Sequence, residues 1–219
     1  MKFSTQRPYI WLFGLLAVVS LVADQASKYV VFAKLYPPEM NLPIIPGLFE
    51  LKTSYLLNTD PGNEPLSFLR TLSGDRLPHV NRGALFGIGN ADDESGGMNT
   101  FFAVISVLAA LFIIFWSARP AVANDRFLCL ALGLILGGTL GNLYDRIVFG
   151  GVRDFLRCYY DTHVWPDFNI ADCCLVCGAG VLLAHSFFAS ETVTQPARAE
   201  PVAAEAPAPM QTTSPSGGL

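Results

Sequence analysis

The chain has 219 residues, of which 52% are hydrophobic and only 15% charged. Its mean hydropathy is +0.40, whereas soluble domains carry about 25% charged residues. The net charge of −4 offers no basic surface for nucleic acid, and 19 glycines and 15 prolines are too few for a collagen-like chain. These values leave a membrane protein as the class to test.

Four apolar runs approach the length of about 17–25 residues that a helix needs to cross a bilayer. They cover residues 9–32, 101–116, 127–144 and 170–188. The first run could be a cleaved signal peptide, because Lys2 and Arg7 precede an apolar core that ends near Ala23. We interpret it as a retained span, since an amphipathic stretch continues the helix to Phe32. The sequence therefore predicts an all-α membrane protein with four transmembrane helices.

Positively charged residues indicate the orientation of these spans. Lys2 and Arg7 precede the first span, and Arg119 and Arg126 flank the short loop between the second and third. The positive-inside rule makes both regions cytoplasmic. The loop 148–169 also carries arginines, so charge counting alone is not decisive. An even number of spans places both termini on one side, which we expect to be the cytoplasmic side.

Two segments differ in composition from the spans. The outer loop 33–99 contains NLPIIPGLFELKTSYLL, in which β-branched and aromatic residues alternate with turn signals. This pattern predicts a small sheet lying on the membrane surface. Residues 191–219 are rich in Pro, Ala, Ser and Thr and lack aromatics, which predicts a disordered Ala/Pro-rich tail. We therefore divide the chain into a membrane domain, 1–190, and a cytoplasmic tail, 191–219.

Polar residues that lie at membrane depth are costly and are therefore functional candidates. In the four-span topology they collect at the outer end of the spans. They are Asp24, Lys28, Asn81, Arg82, Asn142, Asp145, Arg146, Asp154, Asn169 and Asp172. Two carboxyl groups held close together cannot both ionise, so one keeps a proton while the other acts as a base. Such a pair activates water to attack an amide, but composition alone does not bring Asp154 and Asp172 together.

Several of these residues also have a purely structural interpretation. Asp24 and Lys28 are spaced i, i+4 and can pair on one helix. Asn169 and Asp172 have the spacing of a capping box at the start of the fourth span. Asp145–Arg146 can serve as an anchor at the membrane interface. These alternatives stay open at the level of sequence.

Small residues within the spans favour helix packing. Gly133, Gly137 and Gly141 recur every four residues, which is typical of close helix contact. Cys174 and Cys177 form a CxxC inside an apolar helix with no histidine nearby, so we interpret them as packing residues rather than a metal or redox site.

Four stretches of the chain carry a family resemblance. They are ADQASKYVV (23–31), NRGALFG (81–87), GGTLGNLYDRIVFGGVRDF (137–155) and FNIADCCLVCG (168–178). In order and spacing they resemble the lipoprotein signal peptidases (signal peptidase II), a family of bacterial membrane aspartic proteases. The resemblance covers residues from about 9 to 188, and the two longer stretches are specific.

The resemblance implies that Asp154 and Asp172 are catalytic. It also implies substrate-binding or supporting roles for Asp24, Lys28, Asn81, Gly83, Asn142, Arg146 and Asn169. The family removes the signal peptide of a prolipoprotein just before a cysteine that carries diacylglycerol, near the outer surface of the cytoplasmic membrane. Its fold has four transmembrane helices and a small extracytoplasmic β-cradle. We accordingly expect prolipoproteins and membrane lipids as partners, no metal or cofactor, and a monomer.

Two features depart from the family pattern. The segment 52–80 is longer than we expect, so it could reshape the lid over the site. It also leaves Asn58 as a competitor for the role given to Asn81. The Ala/Pro-rich tail exceeds the usual length as well.

Two other function classes compete with a protease. A small transporter or channel would use intramembrane carboxylates as a proton or cation path. Such a path requires charges at several depths, whereas the middles of the second and third apolar runs carry none. A non-enzymatic membrane subunit would use its acidic residues only as interface anchors.

Overall fold

A computed structural model describes residues 8–36, 39–57, 66, 69–70, 76–83 and 97–191. Within them the chain forms five helices and five strands. The helices are α1 (Ile10–Lys34), α2 (Gly97–Ser117), α3 (Pro120–Ala123), α4 (Arg126–Val148) and α5 (Ile170–Glu191). The strands are β1 (Glu39–Ile45), β2 (Phe49–Leu57), β3 (Arg76–Pro78), β4 (Leu156–Tyr160) and β5 (His163–Val164).

Among the described residues, four helices are long and apolar enough to cross a membrane: α1, α2, α4 and α5. This finding confirms the four predicted spans. Helices α1, α2 and α5 expose most of their apolar surface, as a lipid environment allows. Phe112 and Phe115 on α2, for example, are more than 60% exposed. Helix α4 is the most buried and packs against the other three. The protein is therefore a multi-pass membrane protein built around α4.

Glycines let the helices approach α4 closely. A Cβ added at Gly137 would lie 2.5 Å from the Cβ of Ser20 on α1, and one at Gly138 would lie 2.5 Å from the carbonyl oxygen of Ala171 on α5. Gly133 and Gly141 meet α1 in the same way. The predicted glycine stripe is confirmed as a packing surface, because any side chain there would push the helices apart.

The strands form one small antiparallel sheet in the order β1-β2-β4-β5, and β3 pairs with the far end of β2. The predicted strands in residues 41–57 are confirmed as β1 and β2, which pair through Leu42 and Leu51 across a turn with Gly47 at φ +82°. The sequence did not suggest β4 and β5. Both ends of the long segment 52–80 belong to this sheet, as parts of β2 and β3.

The sheet is fixed to the carboxyl end of α1. The Thr53 hydroxyl donates to the Leu35 carbonyl at 2.6 Å, and the Tyr55 hydroxyl donates to the Phe32 carbonyl. Phe32, Tyr55 and Phe155 share a buried apolar cluster. These contacts place the sheet at the end of the helix bundle where the polar candidates were predicted.

Some predictions fall outside the described residues or need correction. Residues 1–7, Asn58 and residues 192–219 lie outside them, so the tail and the role of Asn58 stay predictions. The interfacial-anchor interpretation is wrong for Asp145, which is completely buried. The packing interpretation is wrong for Cys177, which is exposed.

Candidate active site

Asp154 and Asp172 come from different elements. Asp154 lies in the loop between α4 and β4, and Asp172 lies in the first turn of α5. They line one pocket of about 60 Å³, enough for a water molecule. Its lining comprises Asn81, Gly83, Asn142, Arg146, Val152, Asp154, Trp165, Pro166, Asp167, Phe168 and Asp172. The structure thus brings the two predicted carboxylates to one small polar cavity.

Asn169 connects the two aspartates. Its Nδ2 donates to Asp154 Oδ1 at 2.7 Å, and its Oδ1 accepts from the Asp172 backbone N–H at 3.1 Å. Asp172 Oδ2 in turn accepts from the Asn169 backbone N–H at 3.1 Å. This reciprocal pair is a capping box, which confirms the sequence interpretation and holds Asp172 rigidly at the helix start.

Two further asparagine side chains donate to the aspartates. Asn81 Nδ2 lies 3.1 Å from Asp154 Oδ2, while its Oδ1 accepts from the Gly83 N–H at 3.0 Å. Asn142 Nδ2 lies 2.9 Å from Asp172 Oδ1. Asn142 Oδ1 accepts from the Lys28 ammonium at 3.3 Å and from Asn169 Nδ2 at 3.2 Å, and these contacts orient the amide nitrogen toward Asp172.

The environment of Asp154 favours its protonated form. Burial raises the pKa of Asp154 to about 7, and the nearby Asp172 carboxylate acts in the same direction. Hydrogen bonds from Asn169 and Asn81 act against this rise, because they stabilise the ionised form. A carboxyl group that titrates near neutral pH is suited to proton transfer.

A network of completely buried charges lies beside the pocket. The Lys28 ammonium contacts Asp24 Oδ2 at 2.9 Å and Asp145 Oδ2 at 3.2 Å. Asp145 also pairs with Arg153, whose Nη2 lies 2.8 Å from its Oδ1. All four side chains have zero exposure, and their two positive and two negative charges balance. Such a network is stable only while every charge keeps its partner.

Asp24 contacts both its own helix and the start of α5. It forms the predicted i, i+4 pair with Lys28, and its Oδ1 accepts from the Ala171 backbone N–H at 2.9 Å. Because this N–H belongs to the first turn of α5, Asp24 fixes the start of the helix that carries Asp172.

Arg146 holds the segment that carries Asn81. Its Nη2 donates to the Gly83 carbonyl at 2.9 Å, and its Nη1 donates to the Arg82 carbonyl at 3.2 Å. The guanidinium also lies 5.0 Å from the Phe102 ring centroid on α2. The predicted residues Arg146 and Gly83 are thus bonded to each other, and both line the pocket with the two aspartates.

Sequence reasoning missed part of this arrangement. Gln25 Nε2 bridges Asp24 and Asp145 at 2.9 and 3.2 Å, and Asn99 Oδ1 accepts from Arg146 Nη1 at 3.3 Å. Arg153 entered only the count of loop charges. A polar residue beside a membrane-depth charge was the available signal for Gln25, whereas nothing in the sequence paired Arg153 with Asp145.

Comparison with known proteins identifies a family for the chain. A family model described as signal peptidase (SPase) II matches residues 76–188, just over half of the chain. A lipoprotein signal peptidase of Maridesulfovibrio salexigens is 35% identical over 175 residues, which are 79% of this chain and 93% of that protein. One of Symbiobacterium thermophilum is 33% identical over 170 residues, 78% of this chain and 90% of that protein.

A solved structure, described as a bacterial membrane enzyme, shares the fold. Its TM-score is 0.65 at 24% identity, over 87% of this chain and 96% of that one. The matched family model spans Asn81, Asn142, Arg146, Asn169 and both pocket aspartates. Because the family model matches over half of the chain and both relatives match along most of it, the chain belongs to the signal peptidase II family.

Proposed function

We propose that this protein is a membrane aspartic endopeptidase that removes the signal peptide from diacylglyceryl-modified prolipoproteins, cutting just before the lipidated cysteine. The observation that carries the proposal is the meeting of Asp154 and Asp172 in one pocket, joined through Asn169. Membership of the signal peptidase II family supports the peptidase activity and the substrate class.

The two aspartates divide the proton-transfer work. Asp154 holds the shared proton, because its pKa is raised to about 7, and Asp172 accepts a proton from the attacking water. Water oxygen adds to the scissile carbonyl carbon while Asp154 protonates the carbonyl oxygen. The proton taken up by Asp172 then passes to the leaving amine as the C–N bond breaks. The products are a free carboxyl group and the new amino terminus, and Asp154 recovers its proton when the gem-diol collapses.

The simplest test uses membranes that contain this protein. A prolipoprotein that carries diacylglycerol on its cysteine should be converted to a shorter form, whereas the same precursor without the lipid should remain intact. Conversion of neither precursor would refute the proposed function. Equal conversion of both would refute the lipid requirement.

The pH dependence of cleavage should follow Asp154. Because the protonated form of Asp154 is the active one, kcat should fall as the pH rises through about 7. The measurement is kcat against pH between 5 and 9 at saturating substrate. A rate that is constant across pH 7 would contradict the assignment of the proton to Asp154.

The same shift has a consequence for stability. The pKa of Asp154 in the folded chain is about 7, above the ordinary value of 3.8 for an aspartate, so ionisation of this buried group destabilises the fold as the pH rises through that interval. We expect Asp154→Asn to melt at a higher temperature than the wild type at pH 8. At pH 4 the difference should shrink. Thermal unfolding of both proteins at both pH values measures the sign of this difference in melting temperature.

Arg146 is expected to matter for cleavage through its planar, forked guanidinium. The signal peptide must unwind near the scissile bond, since an amide inside a helix is closed to attack. Arg146 holds the segment that carries Asn81, and its guanidinium presents hydrogen-bond donors to the pocket. Arg146→Lys keeps the charge but loses the two-pronged contact, so we expect kcat/KM to fall about 10- to 100-fold.

Arg119→Lys is the matched control. Arg119 also lies over a phenylalanine ring, 5.5 Å from the centroid of Phe115, but at the opposite end of α2. Its variant should retain the wild-type rate. Equal activity of the Arg146 and Arg119 variants at matched protein levels would show that Arg146 is only an anchor.

We further propose that the protein lies in the bacterial inner membrane with both termini cytoplasmic, the sheet outside and the site near the outer surface. Both aspartates and the sheet lie at one end of the helix bundle, which supports a single catalytic side. Reporter fusions after Trp116 and Phe188 should score as cytoplasmic, and fusions at Asn90 and Thr162 as external. A cytoplasmic signal from Thr162 would overturn this orientation.

A further inference from the structure

Arg153, the residue directly before Asp154, has no assigned role and is completely buried. Its Nη2 contacts Asp145 Oδ1 at 2.8 Å and Gln25 Oε1 at 3.0 Å. Its Nε and its backbone N–H both reach Asp145 Oδ2, at 3.3 and 2.9 Å. One carboxylate at the end of α4 thus binds both the side chain and the main chain of this residue.

Aromatic rings enclose the remaining surface of the guanidinium. Its central carbon lies 3.8 Å from the ring centroid of Phe149 and 4.5 Å from that of Tyr29. Nη1 has no hydrogen-bond partner among the described residues, so the rings and the charge pair hold this end of the side chain. A lysine could not fill this flat space in the same way.

The contacts of Arg153 also restrain the backbone of Asp154, the next residue. Val152 is bound to Asn81 on one side through a pair of 2.8 Å hydrogen bonds, and the Phe155 N–H donates to the Phe168 carbonyl at 3.0 Å on the other. Two residues before Val152, the chain turns back from α4 at Gly150, with φ +73°. The clamp on Arg153 ties this turn to Asp145, at the buried end of α4, directly before Asp154.

We infer that Arg153 is a positioning residue for the proposed reaction: its clamp to Asp145, between Phe149 and Tyr29, sets the placement of the Asp154 carboxyl group relative to Asp172. This inference rests on the proposed function. Arg153 does not touch the substrate, because it is completely buried. Its loss should therefore change kcat rather than KM.

The test compares Arg153→Lys with wild type as purified full-length protein, acting on a lipid-modified precursor. Lysine keeps the charge but cannot make the planar, forked contact. We expect kcat to fall about tenfold or more, since small misplacements of reacting groups are costly, with KM within about twofold of wild type. The control is Arg126→Lys, because Arg126 also lies over an aromatic ring, 4.7 Å from the centroid of Phe127, at the other end of α4. Its kcat should not change.

The pH profile separates positioning from stability. Hydrogen bonds weaken steeply with small displacements, whereas charge repulsion from Asp172 falls gradually with distance. A displaced Asp154 therefore loses the hydrogen bonds from Asn81 and Asn169, which lower its pKa, before it loses the repulsion from Asp172, which raises it. The pKa of Asp154 should then rise, and the alkaline limb of the kcat profile should move to higher pH. A variant that is only less stable would have less active protein but an unchanged profile.

Phe149→Leu provides a second variant that leaves every charge paired. It removes one face of the enclosure and should lower kcat in the same direction, and it carries the test if Arg153→Lys does not fold. Wild-type kcat and pH profile in both variants, or in Phe149→Leu alone when it is the only one folded, would overturn the inference and leave the proposed function intact. Absence of cleavage by the wild type would overturn both.

Discussion

Replacing either Asp154 or Asp172 with asparagine is expected to lower kcat by about 10²–10⁴-fold or more, the range that positioned proton transfer contributes. Each aspartate is bound by asparagine donors, and both lie in the same pocket. Asparagine keeps the shape but neither holds nor accepts the proton. The remaining carboxyl group then has no acid or base partner. Single-turnover cleavage of a lipid-modified precursor measures the loss.

Two controls show that the loss is chemical. Asp161→Asn changes an exposed aspartate in the turn between β4 and β5, where φ is +52° and asparagine is well tolerated. This variant should cleave at the wild-type rate. Asp24→Asn should weaken cleavage through the placement of α5 without removing the chemistry. Substantial cleavage by Asp172→Asn in a folded, inserted protein would refute the dyad.

Loss of Lys28 is expected to have the largest effect on stability. Its ammonium is completely buried and balances two carboxylates, Asp24 and Asp145. Lys28→Met would leave these completely buried charges with one partner fewer, which costs about 3–5 kcal/mol. The variant should melt at a much lower temperature and lose most of its activity, because Asn142 also loses one of the two contacts that orient it.

A charge-balanced variant distinguishes this account from a simple packing defect. Adding Asp24→Asn to Lys28→Met removes one positive and one negative charge, so part of the lost stability should return. Lys34→Met changes an exposed lysine at the end of the same helix and should melt as the wild type does. If Lys28→Met also melted at the wild-type temperature, the buried charge network would not stabilise the fold.

The spans were predictable because hydrophobicity along the chain reports burial in lipid directly. The residues at which the spans begin and end were less predictable. Helix α2 begins at Gly97 rather than at residue 101, because its polar first turn continues the helix before the apolar run and carries Asn99 to Arg146. A hydropathy pattern cannot detect a helical turn whose side chains contact protein instead of lipid.

The residues of the candidate site were selected through the family motifs rather than through periodicity. The meeting of Asp154 with Asp172 depends on how closely α4 and α5 approach at Gly138, which no local pattern measures. The contact between Asp145 and Arg153 depends on the turn at Gly150. Because such contacts arise from three-dimensional packing, a sequence shows the charges but not their partners.

The most direct test of the proposed activity is the identity of the bond that is cut. Purified wild-type protein should convert a diacylglyceryl-modified prolipoprotein into two products, whose intact masses correspond to cleavage just before the lipidated cysteine. Asp172→Asn, at equal folded concentration, should yield neither product. Cleavage at any other bond, or the same products from Asp172→Asn, would contradict a two-aspartate lipoprotein signal peptidase.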